Sequence, residues 1–243
     1  LKFGSTRPGV DNPQKSSCFF VARKMGDDEE RQPPGVYTLI TEEGEKKTSI
    51  GFTGKATANY ANGDIYEGMF DNGIRQGAGV YTYLKGDVFT GLFENNLKTG
   101  LGRVTYKKGG YFHGHFKDGQ RNGEGTLQYA NGDIYSGEWK NGKKHGPGTY
   151  VYNKTKYEYK GTWKDGQIVT GTWTLTDGTQ YRGGFQSQKP CGDATWTTRQ
   201  GTIVEGSYVQ QVVPLDSAPP AKPGETPAVV TRCFWSTAAL VAN

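Results

Sequence analysis

The sequence predicts an all-β protein, an elongated and twisted single-layer antiparallel meander of hairpins without a globular core. Three observations carry this prediction. A short phrase, aromatic-x-Gly-x-aromatic, returns at a nearly fixed interval, residue types alternate with period two inside it, and Asn-Gly or Asp-Gly dipeptides separate the segments. A fixed period of roughly 20–50 residues is typical of repeat architectures, in which each unit packs only against its neighbours.

The central glycines define the repeat. The first four lie 23 residues apart, and the next three follow at intervals of 24, 22 and 23 residues; they are Gly68, Gly91, Gly114, Gly137, Gly161, Gly183 and Gly206. Their spacing predicts about seven units over residues 54–208. We expect these repeat glycines to be structural positions that let neighbouring strands and rings approach closely.

Each phrase predicts a strand with one aromatic face. In the fourth unit Tyr135, Gly137 and Trp139 share one side, and Ser136 and Glu138 share the other. Such alternation is typical of a half-buried strand. A second strand of the unit adds further rings to the same face. We therefore predict a structural and partner-binding aromatic face formed by Tyr66, Phe70, Tyr81, Tyr83, Phe89, Phe93, Phe112, Phe116, Tyr129, Tyr135, Trp139, Tyr150, Tyr152, Tyr159, Trp163, Tyr181 and Phe185.

Tight glycine turns connect the strands. The segments Asn62-Gly63-Asp64 and Asn131-Gly132-Asp133 are strong hairpin signals, because the Asn-Gly dipeptide in each of them tolerates positive φ. Short connections make each strand pair antiparallel with the preceding one. The end strands of such a meander stay open, which favours association with other chains.

The chain divides into four segments by composition. Residues 1–53 read as an irregular N-terminal extension with a divergent half repeat, and residues 54–208 as the repeats. Five prolines make residues 209–231 a Pro-rich linker, and residues 232–243 form an apolar C-terminal tip. We expect the tip to dock onto the repeats or onto a neighbouring molecule.

Composition excludes several classes of protein. The net charge of +5 permits an acidic partner without requiring one. The three cysteines are far apart and form no CxxC pair, so neither a disulfide framework nor a zinc site is predicted, and the chain reads as intracellular. No apolar stretch approaches the roughly 18 residues of a membrane span, so we expect no transmembrane segment.

No residue pattern predicts catalysis, a cofactor or a metal. His113 and His115 lie two residues apart on the non-aromatic face, but no third ligand accompanies them. Cys191 lacks a nearby His or acid that would activate it. The Gly-x-Gly segments lead into strands rather than into helices, so they do not form a phosphate cradle. We expect no catalytic, cofactor-binding or metal-binding residues.

Basic residues recur in the predicted loops. They could contact lipid head groups, but they are single charges next to aspartates rather than a polybasic cluster; they are Arg75, Lys98, Arg121, Lys143 and Lys144. Basic residues between aromatics could also stack single-stranded nucleic acid. Tyrosines that pack between hairpins explain the same pattern, so we expect no nucleic-acid partner.

The spacing Tyr-x-Gly-x-(Trp/Phe)-x-x-Gly-x-x-x-Gly-x-Gly resembles the MORN repeat. The run from Tyr135 through Gly142, Gly146 and Gly148 meets it in full. Within that family, three segments resemble radial spoke head protein 1 and its relatives; they are residues 54–68, 156–167 and 181–185. The later units are less regular, since Thr170 stands where the spacing expects glycine.

The resemblance implies a non-enzymatic scaffold of the radial spoke head in the axoneme of motile cilia and flagella. It implies other radial spoke head proteins as partners, together with a homodimer or a pair with a related MORN protein. The localisation it implies is the axonemal cytoskeleton. An alternative interpretation is a membrane-apposed or cytoskeletal MORN tether that binds anionic lipid and partner proteins.

Overall fold

The computed structural model describes residues 38–214 and 229–241, and within these ranges every regular element is a strand. None of them forms a helix that could cross a membrane. The seventeen strands are β1 (Thr38–Thr41), β2 (Gly44–Lys46), β3 (Gly54–Asn59), β4 (Ile65–Asp71), β5 (Ile74–Thr82), β6 (Val88–Glu94), β7 (Leu97–Thr105), β8 (Tyr111–Lys117), β9 (Gln120–Gln128), β10 (Ile134–Lys140), β11 (Lys143–Val151), β12 (Glu158–Lys164), β13 (Gln167–Thr174), β14 (Gln180–Gln186), β15 (Lys189–Thr197), β16 (Ile203–Pro214) and β17 (Val229–Val241).

All strands join one open antiparallel sheet. From β3 to β17 each strand pairs with the next one in the chain. Strand β1 lies between β2 and β3, so β2 and β17 are the two edges among the described residues. The predicted all-β antiparallel meander is confirmed.

A bulge interrupts the hairpin of each unit next to the central glycine or one residue beyond it. In the hairpin β10–β11 the register shifts between Gly137 and Glu138. The two extra residues on β11 are Gly146 and Pro147, and the φ of 57° at Gly146 is in the left-handed region that glycine tolerates. In the motif Gly146-Pro147-Gly148, the first glycine therefore serves the bulge, whereas the second continues the line of strand glycines.

The core lies along one face of the sheet. It is a continuous cluster of buried side chains, mostly aromatic, that runs from Leu39 to Phe185. Because the sheet is a single layer, the rings exclude water by packing on one another and on the strand glycines rather than on a second sheet.

The two ends of the sheet differ from the expected segment boundaries. At the start, the hairpin β1–β2 lies within the predicted irregular extension and continues the sheet beyond β3. At the other end, residues 209–214 continue β16 and residues 229–231 begin β17, although both stretches were assigned to the linker. β-branched residues such as Val212 and Val213 favour strand there. The apolar tip pairs with β16 as the last strand, and residues 215–228 lie outside the described ranges.

Candidate partner-binding groove

A line of glycines crosses the sheet from strand to strand, each paired with the next across the ladder of hydrogen bonds. We call this line the glycine ladder; it consists of Gly68, Gly79, Gly91, Gly102, Gly114, Gly125, Gly137, Gly148, Gly161, Gly171 and Gly183. It continues through Ala194 to Gly206. The predicted repeat glycines supply every second position of the ladder. From Gly68 to Gly183, a second glycine of each unit supplies the position between two repeat glycines.

Rings cover the glycine ladder on one side. A Cβ on Gly148 would lie 2.4 Å from the hydroxyl of Tyr135, and a Cβ on Gly137 would lie 2.5 Å from the Cα of Gly148. The same ring-over-glycine contacts recur at Tyr66, Phe89 and Phe112. No side chain fits under these rings, which explains why glycine occupies these positions.

Edge-to-face contacts join the rings of successive units. The ring of Tyr135 lies 5.3 Å from that of Trp139 and 5.2 Å from that of Trp163, at steep angles. The indole N–H of Trp139 donates to the carbonyl of Gly125 at 3.1 Å. The Tyr135 hydroxyl donates to the carbonyl of Glu138 at 3.0 Å, beside the bulge. Ring geometry and hydrogen bonds thus fix each unit to the preceding and following ones.

The structure places the predicted aromatic face mainly in the interior. Twelve of its seventeen side chains are buried, namely Tyr66, Phe70, Tyr81, Phe89, Phe93, Phe112, Phe116, Tyr135, Trp139, Trp163, Tyr181 and Phe185. The other five are half-buried: Tyr83, Tyr129, Tyr150, Tyr152 and Tyr159. Rings that already pack on one another offer little surface to a partner, so the accessible surface of the sheet lies elsewhere.

All five basic residues expected in loops lie in strands instead, and Lys143 is the first residue of β11. Arg75, Lys98, Arg121 and Lys144 each take the second position of a strand, on the aromatic face. The ammonium of Lys144 lies 4.3 Å from the ring centre of Trp163 and 4.8 Å from that of Tyr150. Burial lowers the pKa of Lys144 to about 8. These cations pack on rings, and of the basic residues named above only Lys143 is exposed.

A groove runs along the opposite side of the glycine ladder. Its main part is an open depression with a volume of about 800 Å³ that crosses strands β7 to β12. A second part of about 350 Å³ shares Leu101 and His113 with it and extends to β6. The glycines form the floor, and two rows of exposed or half-exposed side chains flank it; the rows include Thr90, Leu101, Arg103, His113, His115, Glu124, Thr126, Ser136, Glu138, Pro147, Thr149, Lys160 and Thr162.

The groove combines a backbone floor with chemically mixed walls. The hydroxyls of Thr126 and Ser136 lie 3.0 Å apart in a cross-strand hydrogen bond. Leu101 is 52% exposed and adds apolar surface at one end. Lys160 and Glu138 supply both signs of charge. Such walls suit a polypeptide segment, which presents polar and apolar groups together.

The two histidines border this groove. His113 and His115 are exposed on the non-aromatic face, as their alternation predicted. A ring nitrogen of His115 lies 3.3 Å from the carbonyl oxygen of Glu124. Across residues 38–214 and 229–241, no three His, Cys, Asp or Glu residues cluster as metal ligands would.

Sequence reasoning identified half of the glycine ladder and missed the groove. The second series, Gly79, Gly102, Gly125 and Gly148, also recurs with an interval of 23 residues. Aligning the two series would have predicted that each glycine of one series pairs with a glycine of the other series on the neighbouring strand. The groove has no residue signature of its own, because glycines without side chains form its floor.

The family comparison agrees with this architecture. The model of the MORN repeat matches residues 66–88, 89–111, 112–134, 135–154 and 159–180. The match comprises five successive repeats. The matched units contain the glycine ladder from Gly68 to Gly171 and all residues that line the groove. No curated protein matches the chain.

Among solved structures, the chain is similar to the TCP domain of SAS-4 from Drosophila melanogaster, determined with a proline-rich motif of Ana2. The identity is 14%, with 75% of this chain and 96% of that one covered and a TM-score of 0.41. The CPAP G-box domain shows 10% identity, coverage of 71% and 93%, and a TM-score of 0.42. Nothing about function follows from these values.

Proposed function

We propose that this MORN-repeat chain is a non-enzymatic scaffold of the radial spoke head in the axoneme of motile cilia and flagella, where it supports motility. Its partners are other radial spoke head proteins, and its groove holds a segment of one of them. The observation that carries the binding role is the groove itself, an accessible surface that spans strands β6 to β12 on the face that the rings leave free.

The groove fits an extended or helical segment because of its floor. Without side chains between the two rows, a partner's backbone can approach the sheet closely along the glycine ladder. Hydroxyls such as those of Thr126 and Ser136 supply hydrogen bonds, and Leu101 supplies an apolar contact. The partner segment is thus placed in the groove rather than on the aromatic face, where the sequence led us to expect it, because most of those rings are buried.

The proposed location in the radial spoke head rests on sequence resemblance. Residues 54–68, 156–167 and 181–185 resemble radial spoke head protein 1 and its relatives. The first segment forms β3 and most of β4, and the second covers β12 with its turn. The resemblance therefore falls on elements of the repeat sheet rather than on a separate domain.

Crosslinking in purified axonemes tests the proposal. Lys160 is exposed in the groove wall, whereas Lys140, at the end of β10, is exposed outside it. We expect amine crosslinks from Lys160 to reach spoke head subunits and those from Lys140 to be fewer. The protein should stay with the axoneme after detergent removes the membrane. Complete extraction by detergent would contradict the proposal.

A groove-filling variant separates binding from folding. Ser136→Trp should place an indole in the groove and abolish capture of spoke head subunits, while the melting temperature stays close to that of the parent. Lys164→Trp adds the same ring at an exposed position outside the groove and should bind normally. Equal binding by both variants would show that partners use another surface.

The lipid-tether alternative makes a different prediction. It requires salt-sensitive binding to vesicles that contain anionic lipid. The structure reduces the basic surface available for this, because Arg75 and Lys98 are buried and Lys144 packs on rings. Salt-dependent cosedimentation with anionic vesicles, together with loss from detergent-treated axonemes, would favour the tether.

A further inference from the structure

The two edges of the sheet differ in a way that bears on assembly. Edge strand β2 has three residues, of which Glu45 and Lys46 are charged. Short, charged edges discourage further pairing. Edge strand β17 has thirteen residues, contains no proline, and carries Arg232 as its single charged residue. Among the described residues its outer side meets no other strand.

The end of the β16–β17 hairpin extends past its neighbour. Strand β15 pairs with β16 only as far as Tyr208, whereas β17 continues the pairing to Pro214. Along this extension Val209, Val212 and Phe234 are exposed to 50%, 67% and 46%. A two-stranded ribbon is marginal in water on its own, so a further strand would stabilise it.

We propose that β17 pairs antiparallel with the β17 strand of a second copy of this chain. The pairing continues one sheet across both molecules and is distinct from the proposed groove function. Among the described strands, β17 is the edge of each copy that favours pairing, so a two-fold contact occupies that edge in both copies and the assembly closes at a dimer. Two open edges per copy would instead give chains of molecules.

The chemistry of β17 selects a register centred on Cys233. In that register Arg232 of one copy lies opposite Phe234 of the second copy. By the two-fold symmetry, Phe234 of the first copy lies opposite Arg232 of the second. Both side chains are exposed and two residues apart, so they share one face of the strand. A cation opposite a ring is a favourable cross-strand pair. The two Cys233 residues then face each other at the centre.

The oligomeric state of the full chain tests the dimer. Sedimentation over a range of concentrations should give twice the chain mass of 26.6 kDa. Phe234→Lys and Ser236→Lys should return the protein to the mass of a single chain, because they place charges within the paired stretch of β17. Gln180→Lys adds the same charge at an exposed position of the interior strand β14, outside the groove, and should leave the dimer intact. A cooperative melting transition in every variant would show that all variants fold.

Oxidative crosslinking tests the register. In a chain with Cys18→Ser and Cys191→Ser, copper phenanthroline and oxygen should link two copies through Cys233, since directly opposed residues of antiparallel strands lie within disulfide reach. Adding Cys233→Ser should abolish the link. A monomer at all concentrations, a dimer that survives both edge variants, an open-ended series of oligomers, or a dimer that does not crosslink would overturn the proposal. Loss of spoke partners with an intact dimer would contradict only the groove function.

Discussion

At the scale of single residues, stability depends on a ring that lies over two glycines. Tyr135 covers Gly137 on its own strand and Gly148 on the next, and its hydroxyl donates to a carbonyl at the bulge. Burial raises the pKa of Tyr135 far above its ordinary value, as expected for a ring that lies inside a core. The glycine and the ring are therefore one structural unit.

We expect Gly137→Ala to destabilise the sheet by about 1–3 kcal/mol, as overpacking of well-packed sites does. The added methyl would lie 2.5 Å from the Cα of Gly148 and 2.6 Å from the carbonyl oxygen of Pro147, which are backbone atoms that yield little. Urea unfolding measures the change. Ser136→Ala, next in the chain but on the groove side, is the control and should change stability far less. Equal effects would refute the packing argument.

Lys144 makes stability depend on pH in alkaline solution. Burial lowers its pKa to about 8 in the folded chain, whereas an unfolded lysine titrates near 10.4. Between these values the unfolded state binds more protons, so raising the pH stabilises the folded state. We expect thermal stability at pH 9.5, relative to pH 7, to benefit more in the parent than in Lys144→Met.

The matched control for Lys144 is its neighbour. Lys143 is exposed, so Lys143→Met should show the same pH response as the parent. Comparing variants removes contributions from other groups that titrate in this range, such as Cys191, whose pKa burial raises. An identical pH response in Lys144→Met and the parent would show that the amine is not buried in solution.

At the scale of elements, an aspartate in the turn connects one hairpin to the next. The Asp133 carboxylate accepts hydrogen bonds from the Tyr150 hydroxyl at 2.7 Å and from the Asn153 N–H at 2.8 Å. Asp64 accepts the equivalent bonds from Tyr81 and the N–H of Leu84. The Asn-Gly-Asp turn therefore fixes the neighbouring strand as well as reversing the chain.

We expect Asp133→Asn to cost about 1–3 kcal/mol at neutral pH, because it disturbs buried hydrogen bonds to a charged acceptor. Burial alone would raise the pKa of Asp133, but bonds from Asn153, Tyr150 and Asn131 hold it below its ordinary value. That stabilisation is present above about pH 4 and is lost as the pH falls through the folded pKa. The difference from the parent should therefore shrink in acid. Asp193→Asn, at an exposed site, should have little effect.

The sequence predicted the elements that repeat and failed where the pattern ends. Alternation around Gly137 placed β10 and its aromatic face correctly, because the period-two pattern and the strand geometry coincide. The basic residues were misplaced, since Lys144 looks like a loop residue until the bulge and its partner strand are known. Proline content hid the β16–β17 hairpin, although β-branched residues flank the prolines. The groove depends on cross-strand pairing, which a single chain does not display.

At the scale of the whole molecule, the sheet from β3 to β17 is a row of hairpins, each paired only with its neighbours. Its stability should follow nearest-neighbour terms rather than one central core. The register supports this view, since Gly102 pairs with Gly114 in the same way that Gly125 pairs with Gly137. Removal of a complete unit should therefore leave every remaining interface of a native type.

We expect a chain that lacks residues 112–134 to fold. Tyr111 then precedes Tyr135 as Ile134 does in the parent, and β7 meets β10 with its glycines in register. Circular dichroism should show a strand spectrum and a cooperative transition of reduced stability. Deletion of residues 112–122 removes most of β8, its turn and the first three residues of β9. Strand β7 and the rest of β9 then become neighbours without Phe112 and Phe116 to cover the glycines between them. That chain should lose its cooperative transition. If both deletions unfolded alike, the sheet would depend on long-range cooperation rather than on the repeated contact between neighbouring hairpins.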